Sequence, residues 1–191
     1  MMQITTCGPD LNAVNQAYTK YSQGYAVTGV AAVSCRHAFV RPKGVVDLQK
    51  GERYTNVDYA VVSTLMDDVK AGIKDVVITY DIGCQWGKNF SRRLLSPSMP
   101  SLDIGALNTF RVAVPKFHIL GHGASCQAKF NLAYMDGVGM THGESVETIW
   151  SHSTSLATWS RENGPAARHL ILDDHWTGWN WRKLVGLRKS A

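Results

Sequence analysis

The chain has 191 residues, of which 45% are hydrophobic and 18% charged. That is enough for one domain, with at most a small appendage, to bury a core without a structural metal or disulfide. The balance excludes a disordered chain, and no apolar run approaches the ~18 residues of a membrane span. The net charge of +5 and pI near 9.1 permit a polyanionic partner without requiring one.

In chain order, Asp10 is placed to cap a helix over Leu11–Tyr21. Ala26–Ser34 is short, apolar and partly β-branched, which predicts a strand. Arg36–Arg53 carries Pro42, Gly44 and Gly51 and reads as loop. Asn56–Lys70 has a helical apolar period, closed by Gly72. Val76–Tyr80 predicts a buried strand that delivers Asp81 at its carboxyl end. Cys84–Leu95 reads as helix, Ser96–Leu107 as loop and Phe110–Val114 as a strand stopped by Pro115. From about residue 117 only helices are expected, over Phe117–Ala133, Gly143–Trp159 and Ala166–Leu187. The order is that of a mixed α/β layout, with Ala26–Ser34 and Val76–Tyr80 expected in one sheet, as neighbours or across one gap.

Five groups of residues could carry chemistry. Asp81 stands where open α/β sheets place ligands, beyond a strand's carboxyl end; it could equally cap the next turn. Glu144 and Glu147 share a helix face at i and i+3, or are ordinary first-turn acids favoured by the helix dipole. His118, His122 and Cys126 form an i, i+4, i+8 stripe that could hold Zn²⁺ with Cys84 as fourth ligand. Gly121 and Gly123 weaken the helix such a stripe requires, and packed side chains explain the pattern as well. Lys88, Arg92 and Arg93 form one basic cluster, and Arg182 and Lys183 lead into a second with Arg188 and Lys189. Each contacts nucleic-acid phosphates or is a solvated face. Trp176, Trp179 and Trp181 read as core packing before base stacking. Cys7, Cys35, Cys84 and Cys126 are widely spread with no CxxC pair, so reduced thiols in an intracellular compartment are expected. The start, MMQITTCGPD, lacks the charged and apolar regions of a secretory signal.

The blocks GERYTNVDYAVVSTL, YDIGCQW, VPKFHILGHGASCQ, GVGMTHGESVETIWS, GPAARHLILDDH and WNWRKLVGL, in that order, resemble the Kyakuja-Dileera-Zisupton (KDZ) transposases of eukaryotic mobile elements. The resemblance implies an RNase H-like catalytic domain over 29–191, after a partial segment 1–28, with a mixed sheet and flanking helices. It implies a nuclear location and DNA as partner, and it is compatible with homo-oligomers. It also implies Mg²⁺ or Mn²⁺ held by an acid triad for strand cleavage and transfer. By position, Asp81 matches the second acid. VETIWS is similar to the ER-x-(F/W)-S motif of related transposases, which favours Glu147 over Glu144 as the third.

Five departures qualify this. The family's first acid lies on a strand upstream of Gly29, where this chain offers only Asp10, in a Gly-Pro-Asp turn. Cys35-Arg36-His37 is one residue shorter than the family's C-x-R-H, Thr148 stands for an expected arginine, and His142 for an aspartate. The family's long C-terminal extension is absent. The expectation is therefore a truncated or decaying catalytic domain, weak or inactive alone. The alternatives are a non-catalytic nucleic-acid or protein-binding remnant, and a zinc-stabilised structural module.

Overall fold

A computed structural model describes residues 24–49, 51–101 and 104–187. The helix expected over Leu11–Tyr21, Cys7, Asp10, Arg188 and Lys189 lie outside the described residues. Strand β1 (Gly29–Ser34) pairs antiparallel with β2 (Val40–Leu48), from Gly29↔Leu48 to Ser34↔Val40, with an irregularity between Ala32 and Ser34. The sequence reading made β2 a loop because of Pro42 and Gly44. Two facts explain the strand. Lys43 adopts a left-handed φ of 60°, a local break that leaves the ladder intact on either side. Gly44 lies under helix α1 (Tyr54–Lys70), where a Cβ would come 2.8 Å from Thr64 Cγ2. Its glycine therefore marks close helix approach, not a turn.

Helix α1 ends at Gly72, whose φ of +87° lets its N–H reach Val69 O and that of Ile73 reach Asp68 O, at 3.0 Å each. Strand β3 (Asp75–Thr79) follows and pairs in parallel with β4 (Thr109–Ala113), in unbroken register from Asp75↔Thr109 to Thr79↔Ala113. The parallel pair needs a long crossover. It runs through α2 (Gly83–Trp86) and α3 (Phe90–Arg93), which the sequence read as one helix. Trp86 and Phe90 from this crossover fill the core with Val61, Val62 and Leu65 of α1. Phe90 stacks on Phe110 at 5.0 Å.

The two strand pairs form separate two-stranded sheets among the described residues. A cavity of about 610 Å³ lies between them, lined by the consecutive residues 30–35 of β1 and its end and 77–81 of β3 and its end. Alternate residues of a strand point to opposite faces, so consecutive lining means that each strand turns an edge, not a face, to the cavity. The expected single sheet is thus two pairs across a gap, in a mixed α+β fold.

The C-terminal part is helical as expected but more broken. Helices α4 (Ala124–Phe130), α5 (Ser145–Ser151), α6 (Thr154–Ser160) and α7 (Pro165–Leu187) follow β4. His122, between Gly121 and Gly123, is extended (φ −95°, ψ 154°) and divides the segment read as one helix. The segment Gly143–Trp159 divides at His152 and Ser153, where the Ser153 hydroxyl donates to Ile149 O at 2.7 Å. Helix α7 packs Leu172, Trp176 and Trp179 against Ala38, Val40, Ile149 and Leu156. Trp179 Nε1 donates to Ala38 O at 2.7 Å, and the Asn180 amide bonds both Val40 N and Val40 O at 2.9 Å. No described helix is long and apolar enough to cross a membrane.

Candidate metal centre

The carboxyl ends of β3 and β4 lie side by side because the strands are parallel and in register. Tyr80 N donates to Ala113 O at 3.1 Å, extending the ladder by one residue and placing Asp81 just beyond it. The N-cap position of helix α2 is Ile82, which offers no side-chain cap. Beyond β4, Pro115 ends the strand and its carbonyl accepts from Ile119 N at 3.0 Å. This closes the 3-10 turn His118–Gly121, anchored by the buried Ile119.

Helix α5 approaches the same point through Gly143. Its φ is +71°, its carbonyl accepts from Thr79 Oγ1 at 3.0 Å, and a Cβ there would lie 2.7 Å from Thr79 Cγ2. Only glycine combines that backbone with that contact. Ser145 Oγ donates to Cys35 O at 3.1 Å and ties α5 to the end of β1.

These elements bring Asp81, His118 and Glu147 together, with one ligand atom of each within 4.8 Å of the others. His118 Nδ1 lies 3.6 Å from Asp81 Oδ1 and 3.8 Å from Glu144 Oε1. Glu144 also accepts from Phe117 N at 2.5 Å, so it holds the turn that presents His118. Asp81 and Glu147 line the 610 Å³ cavity. Burial pushes the Asp81 carboxyl up from its ordinary value; the His118 ring pulls it down, Glu144 pushes it up, and burial prevails.

Cys84, His122 and Cys126 form a second group, also within 4.8 Å of one another, with Cys84 Sγ 3.5 Å from His122 Nδ1. Burial pushes the Cys84 thiol up and the His122 imidazole down, and the His122 ring also interacts with the backbone of Asp81. His118 does not join this group, because the break at His122 ends the stripe that a continuous helix would make. The expectation of reduced thiols is corrected at Cys126, which is disulfide-bonded, while Cys35 and Cys84 are not in a disulfide.

The basic residues separate. Lys88 and Arg92 are exposed, and Lys88 Nζ donates to Gln85 Oε1 at 2.9 Å. Arg93 turns inward: Nε and Nη2 donate to Asp58 at 2.5 and 2.9 Å, and Nη2 also donates to Trp86 O. Asp58 is 0% exposed and accepts from Trp86 Nε1 at 2.7 Å. Sequence reasoning missed this buried network; the signal was a lone acid on the apolar stripe of α1. Arg182 is exposed, and Lys183 Nζ sits 5.0 Å from the Trp179 ring centroid. Trp176 and Trp179 are core residues, while Trp181 is 65% exposed.

The family model of the Kyakuja-Dileera-Zisupton transposases matches residues 2–180. The chain belongs to that family. No curated protein and no solved structure matches it. In this KDZ chain the YDIGCQW block carries both Asp81 and Cys84, and the FHILGHGASC block carries His118, His122 and Cys126. Each block therefore serves both side-chain groups, which explains why the sequence ran them together.

Proposed function

We propose that residues 29–191 are an RNase H-like catalytic region of a transposase that acts on DNA in the nucleus, with Asp81 and Glu147 as metal-holding carboxylates. The observation that carries this reading is their convergence, with His118, at the carboxyl end of the parallel pair. The donor set suits a divalent cation: carboxylate oxygens are ligands for Mg²⁺ and Mn²⁺. Bound there, such ions would supply charge stabilisation and an activated oxygen for attack on a phosphodiester. Asp81 and Glu147 would hold the charge, and Glu144 would orient the turn before His118. Lys88, Arg92, Arg182 and Lys183 would meet phosphates.

Among the described residues, the carboxylates that meet at this point are Asp81, Glu144 and Glu147, and Glu144 is engaged with Phe117 N. Two metal ions ~3.5–4 Å apart need a bridging carboxylate from a further strand. The purified chain is therefore expected to bind DNA with salt-dependent affinity and to show little or no nicking in Mn²⁺. Robust nicking that Asp81→Ala abolishes would show a complete site and overturn the incompleteness. Loss of DNA binding as well as cleavage in the wild type would argue for a different partner.

A zinc-stabilised module is the second reading, supported by the proximity of Cys84, His122 and Cys126. Zinc takes thiolate and neutral imidazole, so this reading requires Cys126 reduced. One zinc per chain in protein purified under reducing conditions, with a Tm lowered by chelator, supports it. Absence of zinc together with a stable fold removes it.

A further inference from the structure

We infer that His118 is a metal ligand in its own right, making the Asp81–Glu147 centre a mixed nitrogen–oxygen site that prefers Mn²⁺, Co²⁺ or Zn²⁺ to Mg²⁺ or Ca²⁺. The inference rests on the carboxylate reading above and adds to it the chemical class of the ion.

His118 Nδ1 is buried and has no hydrogen-bond partner. Buried ring nitrogens are normally satisfied, so an orphan aimed at carboxylates needs a reason. At 3.6 Å from Asp81 Oδ1 and 3.8 Å from Glu144 Oε1 it is too far for a hydrogen bond to either. That spacing is close to the separation of two ligands on one ion, each ~2.0–2.2 Å from the metal. Glu147 completes the set within 4.8 Å.

The protein's own hydrogen bonds hold the arrangement. The turn carrying His118 is closed by Ile119 N on Pro115 O and held by Phe117 N on Glu144. The same helix, α5, thus supplies the ligand Glu147 and the clamp Glu144. Asp81 is fixed independently by the β3–β4 ladder. Three ligands come from three elements, and the turn that carries the imidazole is held by the Glu144 carboxylate through Phe117 N.

Nitrogen sets the selectivity. Mg²⁺ and Ca²⁺ favour all-oxygen shells, while imidazole suits the first-row transition metals and zinc. His118 would therefore supply little to Mg²⁺ and much to Mn²⁺ or Co²⁺.

The test is Mn²⁺ loading of the purified chain, read by isothermal titration and by electron spin-echo modulation from a directly bound ¹⁴N. The wild type is expected to show nitrogen modulation. His118→Ala should lose it and bind Mn²⁺ at least about tenfold more weakly, with Mg²⁺ affinity little changed. His122→Ala, altered in the neighbouring thiol group, should keep the nitrogen signal. A thermal melt of each variant separates ligand loss from unfolding, and His118→Gln gives a second variant that preserves bulk. Mn²⁺ bound without nitrogen modulation, or modulation unchanged in both His118 variants, overturns the inference and leaves the carboxylate reading standing. Mn²⁺ binding unaffected by Asp81→Asn and Glu147→Gln overturns the carboxylate reading itself.

Discussion

Arg92 and Arg93 are adjacent in sequence, yet the fold gives them opposite surroundings. Arg93 neutralises the fully buried Asp58. Removing one partner of such a pair leaves an uncompensated buried charge, which costs ~3–5 kcal/mol. Arg93→Ala should lose about that much stability in denaturant unfolding. Arg92→Ala should stay within about 0.5 kcal/mol of the wild type. If Arg92 meets a phosphate, its loss should reduce the slope of log affinity against log salt by about 1. Composition alone could not separate the two, because a cluster of basic residues looks the same whether it faces water or a buried aspartate. Asp81 was legible for a different reason. An acid directly after a short apolar strand is marked by position, and the structure sets it where β3 and β4 end together.

At the scale of elements, the segments most legible in the sequence were those with one clear period: α1, β3, β4 and α7. Two of the segments misread were those where a glycine did something other than end an element. Gly44 admits helix α1 against β2, and Gly121 and Gly123 flank the extended His122, which divides the turn of His118 from the helix of Cys126. The i, i+4 stripe assumed a continuous helix, so it joined His118 to the cysteines when the chain delivers it to the carboxylates. Gly143 is the element-scale hinge of the centre, since it sets α5 against Thr79. Gly143→Ala should cost ~1–3 kcal/mol from the left-handed backbone and the forced contact. It should also weaken Mn²⁺ binding by moving Glu147. Denaturant unfolding and metal titration of the same sample check both. Unchanged metal affinity in a destabilised protein would mean that α5 is not positioned through this glycine.

At the scale of the whole molecule, acid should destabilise the fold through the packing of α7. His175 lies edge-on to Trp176 and near Ser153 Oγ, and burial lowers its pKa, with Arg182 adding to the effect and Asp174 opposing it. The unfolded chain therefore takes up this proton first. The stability is fully present above the unfolded imidazole value of about 6.5 and is lost as pH falls from there through the lowered folded value. His122, lowered by burial, acts in the same direction. Tm should thus drop between about pH 7 and pH 5, and His175→Gln should flatten part of that drop. An unaltered pH profile would show that His175 charges without cost. The proposed centre requires Asp81 and Glu147 to share one ion, and a Mn²⁺ titration of a double-mutant cycle tests this directly. Asp81→Asn, Glu147→Gln and the double variant should lose nearly the same affinity, because either single change breaks one shared site. Strictly additive losses, or Mn²⁺ affinity equal to wild type in either single variant, would show that the two carboxylates do not form one centre.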